Sequence, residues 1–186
     1  MTGRLASRIG RKLLGKRRRF ARDERGATAV EFGLLAFPFF AIVGAILEQS
    51  LVFLSGQVLT SAVQDASRLI RTGQATATNF DIDKFRDIMC GRLYGLFDCS
   101  EVHLMVTAYT NFSEVEFVAP VDWDCEIECG WTEDQEFAPG TANSVVIVQA
   151  HYKRPVIVSF GGAGQGNLGD GRRLLGAAAV FMNEPF

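Results

Sequence analysis

From Ala27 to Leu47 the chain reads ATAVEFGLLAFPFFAIVGAIL, a run of 21 residues with a single charge, Glu31. As a helix rising 1.5 Å per residue this run spans roughly 30 Å, the thickness of bilayer hydrocarbon. That length fits a membrane span better than a buried core helix. A secretory signal would have a shorter apolar core followed by a small-residue cleavage site. Here the apolar core is longer and no such site follows it.

Charge supports the same reading. The full chain of 186 residues has a formal net charge of −2, but the charge is segregated. Residues 1–26 hold ten Arg and Lys against Asp23 and Glu24, a local charge of +8, and the remainder carries −10. A basic run of this kind suits nucleic acid or an acidic membrane surface. The apolar run that follows selects the membrane, and no nucleic-acid partner is expected. Basic residues flank only the N-terminal side of the span, and Glu48 begins the other side. The positive-inside rule therefore places the N-terminus in the cytoplasm and exports the C-terminal part.

Two residues inside the span conflict with it. Pro38 removes a backbone donor. Glu31 puts a carboxylate in or near hydrocarbon, at a cost of roughly 2.5–3.5 kcal/mol at the bilayer centre and less near the interface. An acid in such a place reads as functional.

The residues around Glu31 carry a resemblance. Arg25-Gly26-Ala27-Thr28-Ala29-Val30-Glu31-Phe32 follows a basic leader, and Glu stands five residues after the glycine. This resembles the prepilin-peptidase signal of type IV-like pilins, and in particular the TadE-like pseudopilins of tight-adherence (Flp) pilus systems. The terminal Ala177–Phe186, ending Asn183-Glu184-Pro185-Phe186, is similar to that family's A-x-F-x-N-E-P pattern. Between the two ends the chain matches only in size and in having a few cysteines.

The resemblance implies a minor pseudopilin, a structural or priming component and not an enzyme, with no cofactor. It implies a bacterial inner-membrane protein with a periplasmic head. A prepilin peptidase would cut between Gly26 and Ala27, where glycine lets the backbone enter a tight cleft. The cut removes the +8 arm and frees the Ala27 amine. Glu31 and Phe32 would serve subunit assembly, Glu31 neutralising such an amine on a neighbouring subunit. At about 4 Å and an effective dielectric of about 20 that attraction is roughly 4 kcal/mol before desolvation. The implied partners are the peptidase, other pilins or pseudopilins, the pilus assembly platform and membrane lipid. The rival reading is an uncleaved, bitopic, membrane-anchored envelope binding protein.

Beyond Glu48 the apolar residues Leu51, Leu54, Val58, Ala62, Ala66 and Leu69 recur every three or four residues. They predict an amphipathic helix ending near Gly73. The expected organisation is a leader at 1–26, a span at 27–47, a helical extension at 48–73 and an exported head at 74–186. One helix from 27 to 72 would be roughly 70 Å long, and a break near Glu48–Ser50 or Gly56 is the alternative. In the head, Asp81–Phe97 reads as a helix. Glu101–Thr110, Phe112–Val118, Ser144–Tyr152 and Arg173–Met182 read as strands. The predicted class is α+β, a pilin-like long helix with a small antiparallel-sheet head and a second helix.

Cys90, Cys99, Cys125 and Cys129 all fall on the exported side, where an even set reads as two disulfides. Three connectivities are possible, and pairing of sequence neighbours is favoured. Their spacings do not follow a zinc pattern. Gly164-x-Gly166-x-x-Gly169 matches a dinucleotide fingerprint, but no later strand and acidic residue complete it. It reads as part of a glycine loop at 161–171. His103 and His151 belong to no triad or ligand motif, and the acids from Asp122 to Glu136 lack the order of a calcium loop.

Overall fold

The computed structural model describes residues 26–157 and 166–186. The basic arm before Gly26, and Gly164 with the end of the strand-like Val156–Phe160, lie outside the described residues.

Helix α1 runs from Ala27 to Arg71 without interruption, through Pro38. The chain divides into two compact units, the first ending at Ala45 and the second running from Ile46. In the first unit the helix is apolar on every side. Val30, Phe32, Leu34, Leu35, Phe37, Phe39, Phe40 and Ile42 are all exposed. Among the described residues this is the one helix long and apolar enough to cross a membrane.

In the second unit the same helix has one apolar stripe. Val52, Leu59, Ala62, Val63, Ala66 and Ile70 are buried and belong to the main core. The spacing is that of one helix face turned inward. Each fully buried Leu, Ile or Val contributes about 1.5–3 kcal/mol.

The helix stops for a local reason. Gly73 adopts φ +71°, a left-handed conformation that glycine takes without strain. Its N–H donates to the Ile70 carbonyl at 3.0 Å, and the Gln74 N–H donates to the Leu69 carbonyl at 2.9 Å. This bond pair closes the last turn as a Schellman motif. The Phe186 ring occupies the space a Cβ would need, 2.5 Å from it.

Helix α2 covers Ile82–Cys90, and Asp81 caps it by accepting from the Lys84 N–H at 2.8 Å. The helix predicted to reach Phe97 is shorter than expected. Tyr94 and Gly95 both have positive φ, which breaks the helical path. Cys90 and Cys99 are also bonded, with Cα atoms 5.9 Å apart, whereas nine residues of helix would separate them by about 13.5 Å. Leu93 and Phe97 still reach the core.

Among the described residues four strands form the sheet: β1 (His103–Tyr109), β2 (Glu136–Phe137), β3 (Val145–Arg154) and β4 (Arg173–Met182). Their order is β2-β1-β3-β4. β1 and β4 flank β3 antiparallel, and ten consecutive pairs join β3 to β4, from Val145↔Met182 to Arg154↔Arg173. β3 is buried on both faces. Val146, Val148, Ala150 and Tyr152 share the core with α1 and with Phe85 and Met89 of α2.

The class is the α+β, pilin-like one expected, but the sheet is mixed and not purely antiparallel. β2 pairs with β1 in parallel, through Met105↔Glu136 and Val106↔Phe137. The strand predicted at Phe112–Val118 does not form. Residues 112–114 make a 3-10 turn instead. The Glu114 carboxylate accepts from the Thr110 N–H and hydroxyl and from the Asn111 amide. Such local bonds compete with a ladder.

Replacing Gly73 with Ala is expected to destabilise the head by at least about 1 kcal/mol, through strain and collision with Phe186. Gly91, in a right-handed conformation with only ordinary contacts near its Cβ site, is the control. Thermal unfolding should show a lower Tm for Gly73→Ala and an unchanged or higher Tm for Gly91→Ala.

Candidate functional site

The residues expected to act in processing and assembly lie at the start of α1. Gly26 immediately precedes the helix and has nothing within 4 Å of its Cβ position. Ala27 is the first helical residue. Glu31 stands four residues on, so it shares a helix face with Ala27. Glu31 is exposed, and Phe32 beside it is 71% exposed. A backbone open at Gly26, an accessible carboxylate and a wholly apolar exposed helix occur together in one short stretch.

The terminal motif has a clear structural task. The Asn183 side chain donates to the carbonyls of Pro139 and Thr141, at 2.9 and 3.0 Å, and its own N–H donates to the Ser144 carbonyl. The Glu184 N–H donates to the Arg71 carbonyl at 2.9 Å, satisfying one of the orphan acceptors at the end of α1. The Glu184 carboxylate also lies 3.5 Å from the Arg71 guanidinium. Phe186 covers Gly73. Residues 183–186 thus tie the last strand to the last turn of α1 and to the turn before β3.

The structure pairs Cys90 with Cys99 and Cys125 with Cys129. The second pair closes a small loop held over the outer face of the sheet. Cys129 is buried with Val121 and Leu168. Its carbonyl accepts from Lys153 Nζ, and its N–H donates to Asp170 at 3.4 Å. Lys153 Nζ lies 3.7 Å from the centre of the Trp131 ring, and Trp131 stacks on His103 at 4.4 Å. His103 faces His151 across β1 and β3.

These polar groups are buried, which decides their protonation. Burial pushes His151 down to about 4, and His103 adds to the effect. Burial also lowers His103, helped by the positive charges of Lys153 and Arg86 against the opposing Asp134. Desolvation lowers Lys153 as well, assisted by Arg172 and resisted by Asp170, Glu101 and Glu128. His103 Nε2 and His151 Nδ1 have no hydrogen-bond partner among the described residues. The cluster is an imidazole pair that burial holds neutral under a loop. Among the described residues no three His, Cys, Asp or Glu side chains are grouped to hold a metal ion.

Two glycines of the dinucleotide-like pattern, Gly166 and Gly169, have a packing explanation. A Cβ at Gly166 would collide with the Gly171 carbonyl, and one at Gly169 with the Cys125 carbonyl. Close backbone approach requires glycine at both. The acids at 122–136 are mostly exposed.

Glu48 was read from the sequence only as the end of the span. It is 2% exposed, on the inward stripe of α1 with Val52 and Leu59, and neither carboxylate oxygen has a hydrogen-bond partner among the described residues. Its i, i+4 spacing from Val52 was the available signal, but acids are ordinarily assigned to the solvent side.

Residues 26–68 match the model of the TadE-like protein family. The match covers the Gly26–Phe32 stretch, the apolar part of α1 and most of its buried stripe. A TadE-like segment points to tight-adherence (Tad) pilus assembly, and to association with pilus components generally. No curated protein and no solved structure matches the chain.

Two stability predictions follow from the buried polar groups. In the unfolded chain His151 titrates near 6.5, and in the fold near 4. Between those values the unfolded chain binds more protons, so stability is complete above about pH 6.5 and declines as pH falls toward 4. The loss attributable to His151 is about 3 kcal/mol. Urea unfolding between pH 7 and 4 should show this slope, and His151→Asn should flatten it. Glu48→Leu should raise Tm, because it replaces an unbonded buried carboxylate, worth about 1–3 kcal/mol, with an apolar side chain on an apolar stripe.

Proposed function

We propose that this protein is a minor pseudopilin of a tight-adherence pilus or related secretion machine, cut by a prepilin peptidase between Gly26 and Ala27. The observation that carries the reading is the coincidence at the start of α1. Helix onset at Ala27 directly follows an open glycine, and Glu31 is exposed one turn later on an apolar helix that matches the TadE-like family.

The physical sequence of events is simple. The +8 arm holds the precursor with its N-terminus in the cytoplasm and its head in the periplasm. Cleavage discards that arm and creates an α-amine on Ala27. Glu31 of one subunit then pairs with the amine of a neighbour. An unpaired carboxylate and an unpaired amine are both costly in hydrocarbon, so the pair sets subunit register more than it adds net stability. Phe32 and the exposed apolar residues after it supply the surface that packs on lipid or on neighbouring helices. The protein is a substrate in this chemistry and performs none itself, and it needs no cofactor.

N-terminal sequencing of the protein from cells with active peptidase tests the reading. A mature chain starting at Ala27 is expected, and a chain starting at Met1 contradicts it. Glu31→Ala should still be processed but should lose co-purification with its pilus partners. Undiminished co-purification would remove Glu31 from the assembly role.

A further inference from the structure

Strand β4 ends the sheet on one side, and among the described residues its outer edge faces no other strand. Natural edge strands are usually blunted by brevity, a proline, a bulge or an edge lysine. β4 has none of these. It is ten residues long, its register with β3 is unbroken, and Leu174–Met182 contains neither charge nor proline. Gly176 and the alanines at 177–179 put only small side chains along the middle of the strand.

A cleft of about 380 Å³ lies beside that strand, between Ala178–Phe181 and the Gln64, Ser67, Arg68 and Arg71 side of α1. Two features suit this cleft to an occupant with acceptor groups. The Ser67 hydroxyl lines it, is 4% exposed and has no hydrogen-bond partner. Arg68 stands exposed at the rim, whereas Arg71 is already engaged by Glu184.

The chain also contains a segment of matching chemistry. Glu114-Val115-Glu116-Phe117-Val118 alternates acid with apolar residue, which is why it reads as a strand in the sequence. In the fold it pairs with no strand among the described residues, and Glu116, Phe117 and Val118 are exposed. Glu114 is held by Thr110 and Asn111, so Glu116 is the acid left for a cation elsewhere.

We infer that the 115–118 segment of one copy of this chain adds as a strand to the β4 edge of the next copy, with Glu116 meeting Arg68 across the cleft. The backbone ladder supplies affinity, and the charge pair with the Ser67 hydroxyl fixes register. Phe117 and Val118 border a second cleft beside Gln149, His151 and Gly176–Ala178 of their own copy, whereas the acceptor cleft lies between β4 and α1, so the contact between copies is head-to-tail. A contact of that type closes into a ring or continues as an open array. It involves neither Gly26 nor Glu31, and it holds whether or not the leader is removed.

The test uses the full chain in detergent micelles, with Glu31 unchanged. A photo-crosslinking amino acid replaces Gln64 at the cleft, and isotopically heavy and light copies are mixed. Illumination should give heavy–light dimers whose crosslinked peptide maps to residues 112–120. Arg68→Glu and Glu116→Arg should each lower the yield by roughly fivefold, with unchanged Tm, because an attraction becomes a repulsion. The chain carrying both substitutions should recover the yield. Crosslinks confined within one copy, crosslinks to other regions, the absence of dimers, or yields indifferent to the two charge reversals would each overturn the inference.

Discussion

One helix has to satisfy two different surroundings, and the rest of the structure follows from how it does so. Between Val30 and Leu47, α1 presents apolar side chains on every face, and the large ones are mostly exposed. Water cannot be the solvent of such a surface, because exposed apolar area on this scale marks a membrane or a partner. From Val52 to Ile70 the apolar residues narrow to one stripe, and the head covers it. The change falls near Glu48. The composition average of −2 conceals this division, as it conceals the +8 leader and the −10 remainder.

The head depends on keeping the second part of that helix in place. The sheet has a single strand buried on both faces, β3, with α1 and α2 over one face and the Cys125–Cys129 loop over the other. The last four residues then tie β4 to the end of α1. Asn183 satisfies backbone acceptors at residues 139 and 141, Glu184 satisfies the Arg71 carbonyl, and Phe186 fills the space that Gly73 leaves. The buried polar groups on the outer face are tolerated because His103 and His151 are held neutral and Lys153 has both a carbonyl and an aromatic face.

The elements most legible in the sequence are those with a strong period. α1 announced itself by 21 nearly uncharged residues and then by a 3.6-residue stripe ending at Gly73. β1 and β3 were legible from alternation or β-branched runs, whereas the alanine run of β4 is helix-prone and pulls against its strand reading. β2 was not, because a two-residue strand has no period to detect. Phe112–Val118 had the right alternation, but Glu114 spends its acceptors on Thr110 and Asn111, and the ladder never starts. Asp81–Phe97 had the right apolar spacing, but the cross-link from Cys90 to Cys99 and the left-handed pair Tyr94-Gly95 turn the chain back early. At the candidate site the Gly26–Phe32 pattern was legible as a motif. The work of Asn183–Phe186, the burial of Glu48 and the Lys153–Trp131–His103 stack were not, since each arises from contacts between distant segments.

The central claim is that α1 is one helix serving as an anchoring surface in its first part and as a core element of the head in its second. Hydrogen exchange on the full chain in lipid nanodiscs, read against urea, tests this most directly. Amides of α1 between residues 52 and 70 should lose protection together with those of β3, at the urea concentration that unfolds the head. Amides between 30 and 46 should stay protected through that transition. Uniform exchange along the whole of α1, or rapid exchange at 30–46 before urea is added, would contradict the account.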